Sequence, residues 1–149
     1  MSLTLSPTPQ RLDVLLEECL KGKGPDLAAR SLSVTHQIAA RIPEQGMDRA
    51  LMMEAIGCLL AEAIRAATPS GRLRVTVKAN RNALMLAVKA PGPGMGQVQR
   101  EILFTGEARP GTLARARAIV SAHGGVTWAN AMPGRGATYY ITLPVHRGV

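Results

Sequence analysis

Residues 118–125 read AIVSAHGG, and residues 126–130, VTWAN, follow them without a spacer. Apolar side chains at helical spacing predict a helix over residues 113–122, which the two glycines end. Residues 126–130 predict a strand, and the turn MPGRG at 132–136 leads into a further strand over 137–143. This end of the chain therefore predicts a helix followed by a β-hairpin.

A glycine-rich loop, VKAPGPGM at residues 88–95, lies upstream of that region. It follows an apolar strand candidate over 83–88 and precedes a short helix candidate over 97–104, a position where loops often bind ligands. Glycine lets the backbone approach a ligand closely, and proline stiffens the turn. By itself a GxG pattern is weak evidence, because an ordinary turn is its commoner explanation.

The rest of the chain alternates between helical and strand patterns. His36 falls on the apolar face of one strand candidate, which indicates a structural role, and Asp48 is the expected N-cap of the longest helix. Runs of both kinds predict an α+β fold, a two-layer sandwich in which helices cover one face of a mixed, mostly antiparallel sheet. The remaining predicted elements are a helix over 11–20, a strand over 31–42, a helix from 48 to about 67, and a hairpin with arms at 72–78 and 83–88.

Length and composition favour one domain. The chain has 149 residues, enough for a single core, and we expect that domain to span residues 11–149. Residues 1–10 are rich in Pro, Thr and Ser, which predicts a disordered lead-in. The opening Met-Ser-Leu is also typical of an expression-vector remnant, so we expect the domain to be excised from a longer protein.

Charge and cysteine usage exclude some classes of function. The net charge is +8, but the arginines are scattered and aromatic residues make up only 3%, which argues against base stacking and hence against nucleic-acid binding. Cys19 and Cys58 lack a CxxC spacing and fall in apolar helical patterns, so we expect buried free thiols in a reducing compartment. There is no signal peptide or apolar run of membrane length, so we expect a cytoplasmic domain without membrane contact.

Five segments then occur in an informative order: CLLAEA at residues 58–63, the loop at 88–95, ILF at 102–104, AIVSAHGG at 118–125 and GRGATYYITLP at 134–144. In this order they resemble the Asn box, first glycine box, Phe box, helix end and closing hairpin of the catalytic ATP-binding domain of sensor histidine kinases, in the GHKL group of ATPases. The resemblance runs from about residue 11 to residue 144. It implies the histidine kinase and Hsp90-type ATPase fold, a role in two-component signal transduction, and ATP and Mg²⁺ as cofactors.

The resemblance also implies a set of site residues. Glu62 stands where the family has the asparagine that helps to hold Mg²⁺, and a carboxylate there could ligate the metal or act catalytically as a general base. The alternative is an exposed helix glutamate paired with Arg65, three residues on. The nucleotide-binding positions implied by the resemblance are Cys58, Glu62, Ala90, Gly92, Gly94, Gly111, Thr112, Leu113 and Thr138.

Three of the boxes depart from the family pattern. Cys58 and Glu62 replace both asparagines of the Asn box, and Ala90 replaces the aspartate that accepts a hydrogen bond from the adenine amino group. Loss of such a buried acceptor costs roughly 1–3 kcal/mol, about tenfold to a hundredfold in affinity. The second glycine box is reduced to a short loop ending at Gly111, where Arg109, Arg115 or Arg117 could compensate. We therefore expect weakened or lost ATP binding.

The histidines do not supply a phospho-acceptor. His36, His123 and His146 lack the family's His-acidic pattern, so autophosphorylation by this chain alone is not expected. The expected partners are the phospho-acceptor and dimerisation domain of a kinase, or a response regulator. The alternatives are a non-catalytic pseudo-kinase or adaptor that binds such a partner, and an anti-sigma-type serine kinase.

Overall fold

Seven strands and five helices make up the described part of the computed structural model, residues 3–145. Residues 1–2 of the expected lead-in and residues 146–149 of the expected domain, including His146, lie outside this range. In chain order the elements are β1 (Thr8–Gln10), α1 (Leu12–Gly22), α2 (Gly24–Ala29), β2 (Ser33–Ile38), β3 (Gln45–Met47), α3 (Arg49–Ala66), β4 (Arg72–Ala79), β5 (Ala83–Ala90), α4 (Gln97–Thr105), α5 (Leu113–Ala122), β6 (Val126–Ala131) and β7 (Ala137–Pro144).

Five of the strands form the main sheet, in the order β2-β4-β5-β7-β6. The β2–β4 pair is parallel, whereas the β4–β5, β5–β7 and β6–β7 pairs are antiparallel. The parallel pair is joined by a crossover that contains α3, and the antiparallel pairs include the hairpins predicted from the turns. The predicted α+β sandwich with a mixed, mostly antiparallel sheet is confirmed.

The helices pack over one face of this sheet. In α3 the apolar residues Met52, Ile56 and Leu59 are completely buried, and the helix contacts α1, α5, β5 and β7. A side chain such as Leu59 contributes to the core through its full burial, so its replacement by alanine would cost roughly 2–5 kcal/mol. The core therefore lies between α3 and the strands β5 and β7.

The other face of the sheet is open. Along β4, Leu73, Val75 and Val77 are buried, whereas Arg72, Arg74 and Lys78 are exposed. Because successive side chains of a strand point to opposite faces, these three basic residues lie on the face away from the helices. We call this the open face.

Asp48 caps α3, as predicted. Its Oδ1 accepts a hydrogen bond from the Leu51 N–H at 3.0 Å, and its Oδ2 accepts one from the Ser6 N–H at 2.9 Å. The Asp48 N–H in turn donates to His123 Nε2 at 3.0 Å, while His123 Nδ1 lies 2.8 Å from the Ile119 carbonyl oxygen. The cap thus ties the start of α3 to the end of α5.

The structure differs from the sequence-based expectations at the first third of the chain. Residues 8–10, in the lead-in that we expected to be disordered, form β1, which pairs with the unpredicted strand β3. The short helix α2 is also absent from the sequence-based expectations. His36 faces the helix side of β2, opposite Val75, but it is exposed because β2 is an edge strand. Its Nε2 lies 3.2 Å from Glu17 Oε1, so His36 makes a surface contact instead of packing in the core.

Candidate functional site

The glycine loop forms one wall of a cavity of about 430 Å³, which we call the glycine-loop cavity. Gly92 and Gly94 both have positive φ angles, 157° and 67°. A side chain at Gly92 would place its Cβ 2.6 Å from the Ala66 carbonyl oxygen, so only glycine allows the loop to approach the end of α3 this closely. The other residues that line this cavity come from α3 (Arg65, Ala66), the loop (Pro93, Met95), α4 (Gln99, Ile102, Leu103), and the start of β7 with the turn before it (Gly136, Ala137).

Backbone hydrogen bonds hold the glycine loop in place on both sides. The Thr68 N–H donates to the Pro91 carbonyl oxygen at 2.9 Å, and the Gly136 N–H donates to the Gly92 carbonyl oxygen at 2.9 Å. The loop is therefore attached to the end of α3 and to the β6–β7 turn. A fixed loop of this kind presents a preformed wall to a ligand.

Ala90, one of the predicted nucleotide-binding positions, ends β5 and lines the glycine-loop cavity. Ala90 is 2% exposed, so a polar group of a ligand placed against it would be cut off from water. A methyl group accepts no hydrogen bond. This wall of the cavity therefore selects for shape and not for a hydrogen-bond donor.

A second cavity of about 420 Å³ adjoins the first, and we call it the Glu62 cavity. Glu62, Gly111, Thr112 and Leu113 all line it, so four of the predicted positions meet there. The Thr112 hydroxyl oxygen accepts a hydrogen bond from the Arg115 N–H at 3.1 Å and caps α5. The Glu62 cavity shares the lining residues Ile102 and Leu103 with the glycine-loop cavity. The remaining residues that line the Glu62 cavity are Gly106, Glu107, Arg109 and Ala114.

Glu62 and Arg65 form an ion pair where the two cavities meet. Arg65 Nε donates to Glu62 Oε2 at 3.0 Å, and Arg65 Nη2 contacts Oε1. The Glu62 side chain is 13% exposed, and the hydrogen bond that Arg65 donates to this carboxylate raises the pKa of the Arg65 guanidinium. The pairing with Arg65 that the sequence offered is present, but Glu62 is mostly buried and is not the exposed glutamate of that alternative, so its role towards a metal stays a prediction.

Two of the three other arginines considered as phosphate ligands are also engaged in ion pairs, whereas the third, Arg117, is exposed. Arg109 Nε lies 2.7 Å from Glu107 Oε2, and Arg115 donates to both Glu54 oxygens, at 2.7 and 3.1 Å. Arg115 in this way joins α5 to α3. Within residues 3–145, no group of three or more His, Cys, Asp or Glu side chains could hold a metal ion.

Cys58 lies behind the Glu62 cavity and does not line it. Its thiol is buried, and burial raises its pKa, although the backbone of Gly111 acts in the opposite direction through a hydrogen bond. Cys58 therefore supports the short loop before α5 from beneath. A thiol in this setting is an apolar packing group, not a phosphate ligand.

Thr138 does not reach the cavity. Ala137, the preceding residue, lines it, and Ala137 and Tyr139 are buried on the helix side of β7. Because strand side chains alternate, Thr138 lies on the open face, in register with Lys89. The site prediction for Thr138 is corrected by this alternation, and the same period could have identified Ala137 from the sequence.

Arg65, Gln99 and Ala137 line the glycine-loop cavity but were absent from the predicted site. For Arg65 the sequence did carry a signal, because residues three apart on a helix lie on the same face and Arg65 is three residues after Glu62. Gln99 on α4 had no such signal, because its position depends on how α4 packs against the sheet.

Comparison with known proteins identifies the family to which this chain is similar. The profile of the family described as "Histidine kinase-, DNA gyrase B-, and HSP90-like ATPase" matches residues 47–147. The chain is similar to the adaptive-response sensory kinase SasA of Synechocystis, at 25% identity over 93% of this chain and 39% of that kinase. It is also similar to the alginate biosynthesis sensor protein KinB of Pseudomonas aeruginosa, at 26% identity over 78% of this chain and 21% of that protein. The chain thus spans about two fifths or less of these relatives.

Solved structures share the fold. The histidine kinase AdeS of Acinetobacter baumannii superposes with a TM-score of 0.82 at 20% identity, over 97% of this chain and 70% of that one. The nucleotide-free catalytic domain of the histidine kinase ThkA superposes with a TM-score of 0.83 at 19% identity, over 94% and 97% of the two chains. Within residues 3–145, no helix is both long and apolar enough to cross a membrane.

Proposed function

Since this chain belongs to the histidine kinase-, DNA gyrase B- and HSP90-like ATPase family, with an ATP-binding domain of the sensor histidine kinase type, we propose that it retains the nucleotide pocket but binds Mg-ATP weakly and with little selectivity for adenine. The observation that carries the proposal is the ion pair of Glu62 with Arg65 between the two cavities.

The glycine-loop cavity fits a nucleoside in size. Its volume of about 430 Å³ lies in the range of small-molecule pockets, and its walls are largely apolar side chains and glycine backbone. The buried Ala90 offers the base no acceptor, which costs roughly 1–3 kcal/mol, about tenfold to a hundredfold in affinity. Purine nucleotides that differ in their exocyclic group should therefore bind similarly.

The Glu62 cavity fits a magnesium triphosphate less well. Mg²⁺ takes oxygen ligands, and Glu62 is a possible one, but both its oxygens contact Arg65. To ligate the metal, Glu62 has to give up this contact. If it does not, two carboxylates, Glu62 and Glu107, face the place where phosphates would lie. This donor set does not favour the metal, so we derive no catalytic step from it.

Phosphoryl transfer would need a histidine on another domain. His123 is held between the Asp48 N–H and the Ile119 carbonyl, and His36 lies on an edge strand beside Glu17. Neither histidine is on a helix that could present it to a second domain's ATP site. We therefore place the chain within a larger two-component signalling protein or complex, with a phospho-acceptor domain or a response regulator as its partner.

The ion pair also supports a second candidate function. If Glu62 and Arg65 stay paired, the position of the metal is closed and the domain acts as a non-catalytic adaptor. One structural neighbour is the histidine kinase ThkA in complex with the response regulator protein TrrA, with a TM-score of 0.81 at 19% identity. An adaptor of this fold would bind a protein partner of the same kind.

Calorimetric titration of the protein with Mg-ATP, Mg-GTP and metal-free ATP tests the proposal. We expect dissociation constants weaker than about 100 μM and less than about a tenfold preference for ATP over GTP. Micromolar binding of Mg-ATP with strong adenine selectivity would overturn the proposal. No binding of any nucleotide would favour the adaptor function.

A further inference from the structure

A third cavity of about 410 Å³ lies on the open face of the sheet, on the far side of the glycine loop from the glycine-loop cavity. We call it the open-face cavity. Arg72, Arg74, Lys89 and Arg135 line it, together with backbone of the glycine loop and of the β6–β7 turn. No carboxylate is among its lining residues in the described part of the chain.

The sheet register brings these cations together. Arg74 on β4 and Lys89 on β5 are directly opposite in an antiparallel pair, and both are exposed. Arg72 precedes Arg74 by two residues, so it lies on the same face, and Arg135 sits in the turn before β7. Like charges directly opposite each other repel and destabilise a sheet. An anion bound between them would remove this repulsion.

These four cations differ from the five arginines of the fold that lie beside a carboxylate. Among residues 3–145, none of the four makes an ion pair with a carboxylate. Five other arginines do make such pairs, namely Arg11 with Asp13, Arg49 with Glu18, Arg65 with Glu62, Arg109 with Glu107 and Arg115 with Glu54. The carboxylates of these pairs are thus used elsewhere, and none of them lines the open-face cavity, so its positive charge is left for a ligand.

We propose that the open-face cavity is a binding site for a phosphate group. Three guanidinium groups and an ammonium group around a concave surface suit a compact anion with several acceptor oxygens, since guanidinium pairs with phosphate in a bidentate manner. The group belongs either to a free phosphorylated compound or to a phosphorylated side chain of a protein. This site is independent of the nucleotide site proposed above.

The wall between the two sites is thin. Ala90, Gly92 and Gly136 line both the open-face cavity and the glycine-loop cavity. The hydrogen bond from the Gly136 N–H to the Gly92 carbonyl oxygen, at 2.9 Å, closes this wall. A ligand therefore occupies one side or the other, and side chains that face only one side distinguish the two: Arg74 and Lys89 the open-face cavity, Arg65 the glycine-loop cavity.

The test is a titration with inorganic pyrophosphate, without metal, of three variants beside the wild type. Arg74→Gln with Lys89→Gln removes two charges from the cavity. Lys78→Gln with Arg81→Gln is the matched control, because it removes the same charge from residues that do not line the cavity. Arg65→Gln reports on the glycine-loop cavity. All substituted side chains are exposed, so the variants should fold, which circular dichroism checks.

We expect pyrophosphate to bind the wild type, the Arg74/Lys89 variant to bind it at least about tenfold more weakly, and the other two variants to change by less than about threefold. Equal losses of pyrophosphate affinity in the two double variants would mean that binding depends only on the overall charge of the protein, which would overturn the proposal. A loss in the Arg65 variant as large as that in the Arg74/Lys89 variant would place the anion in the glycine-loop cavity, which overturns it as well. The result is separate from that of the Mg-ATP titration.

A second arm distinguishes the sources of the phosphate. A phosphoserine peptide and its unphosphorylated and glutamate forms are titrated into the wild type and the Arg74/Lys89 variant. Tighter binding of the phosphopeptide than of pyrophosphate assigns the site to a phosphorylated protein, and the reverse assigns it to a free compound. Binding of the glutamate peptide as tight as that of the phosphopeptide would overturn the assignment to phosphate in favour of an acidic protein surface.

Discussion

Arg65 reaches back along α3 and binds both carboxylate oxygens of Glu62, at the junction of the glycine-loop and Glu62 cavities. The pair is asymmetric, because Glu62 is mostly buried whereas Arg65 is 67% exposed. Solvent screening of Arg65 keeps the pair weak, at roughly 1 kcal/mol or less. The pair can therefore be broken by a ligand, and its main effect is on which ligand charge the site accepts.

Replacing Glu62 with asparagine should strengthen Mg-ATP binding, since it removes a negative charge from the site and frees Arg65 for the phosphates. We expect a gain of about threefold to thirtyfold in the association constant. Calorimetric titration measures it, with Glu44→Asn, an exposed glutamate outside the cavities, as the control. An unchanged affinity in the Glu62 variant would show that this side chain does not face the bound phosphates.

Ala90→Asp should restore an acceptor for an exocyclic amino group and improve ATP binding more than GTP binding, by about tenfold. A carboxylate at this buried position should also lower the melting temperature of the free protein, because its desolvation is unfavourable. Ala87→Asp is the control for a buried carboxylate, because Ala87 lies on the same strand and is also buried, but on the other face of the sheet. Equal gains for the two nucleotides would mean that position 90 does not contact the base.

Asp48→Ala should destabilise the fold by roughly 0.5–2 kcal/mol, because it removes the N-cap of α3 and the contact with Ser6. Urea denaturation at pH 7 measures the difference in unfolding free energy. Asp26→Ala is a suitable control, since Asp26 is exposed in the first turn of α2 without a capping hydrogen bond. A loss of the same size in both variants would assign the effect to charge and not to capping.

The contribution of Asp48 should depend on pH. Hydrogen bonds from the Leu51 and Ser6 N–H groups lower the pKa of Asp48 below its ordinary value of 3.8. A lowered folded-state pKa means that the stabilisation is present above the ordinary value and is lost as the pH falls through the folded-state pKa. The difference between wild type and Asp48→Ala should therefore persist from pH 7 to pH 5 and shrink as the pH falls below 3.8. A constant difference down to pH 2 would contradict this.

The two thiols should be unreactive in the folded protein. Burial raises the pKa of Cys19 to about 11, and it also raises that of Cys58. At pH 8 only about one Cys19 thiol in a thousand is ionised. Reaction with a disulfide reagent should be slow in buffer and complete within minutes in guanidinium chloride, which also provides the control. Rapid labelling of the folded protein at pH 8 would argue against the burial of these thiols.

The sequence predicts the long and strongly patterned elements well and the short ones poorly. The apolar stripe of α3, its Asp48 cap and the hairpins around Asn80 and Gly134 all have local causes, so they are readable from neighbouring residues. β1, β3 and α2 have three, three and six residues, too few for a period to be recognised. β1 and β3 exist because they pair with each other across the intervening chain, a contact without local signal.

The same distinction applies to the site. Motif order alone identified the glycine loop, Glu62, and the start of α5 as site positions, and the structure brings these together around two adjoining cavities. Thr138 was placed in the site, although the two-residue period of β7 puts it on the open face. The sequence left two roles open for Glu62. The structure pairs it with Arg65, and its role towards a metal stays a prediction.

By itself, the sequence determined the fold class, the burial of alternate residues in β4, the positions of the glycines and the absence of an acceptor at Ala90, because each depends on residue type and local spacing. Tertiary structure alone decided that Arg74 lies opposite Lys89 and that Arg135 joins them. These residues come from three separate parts of the chain. Their juxtaposition follows from strand register and sheet order, which the packing of the whole core selects.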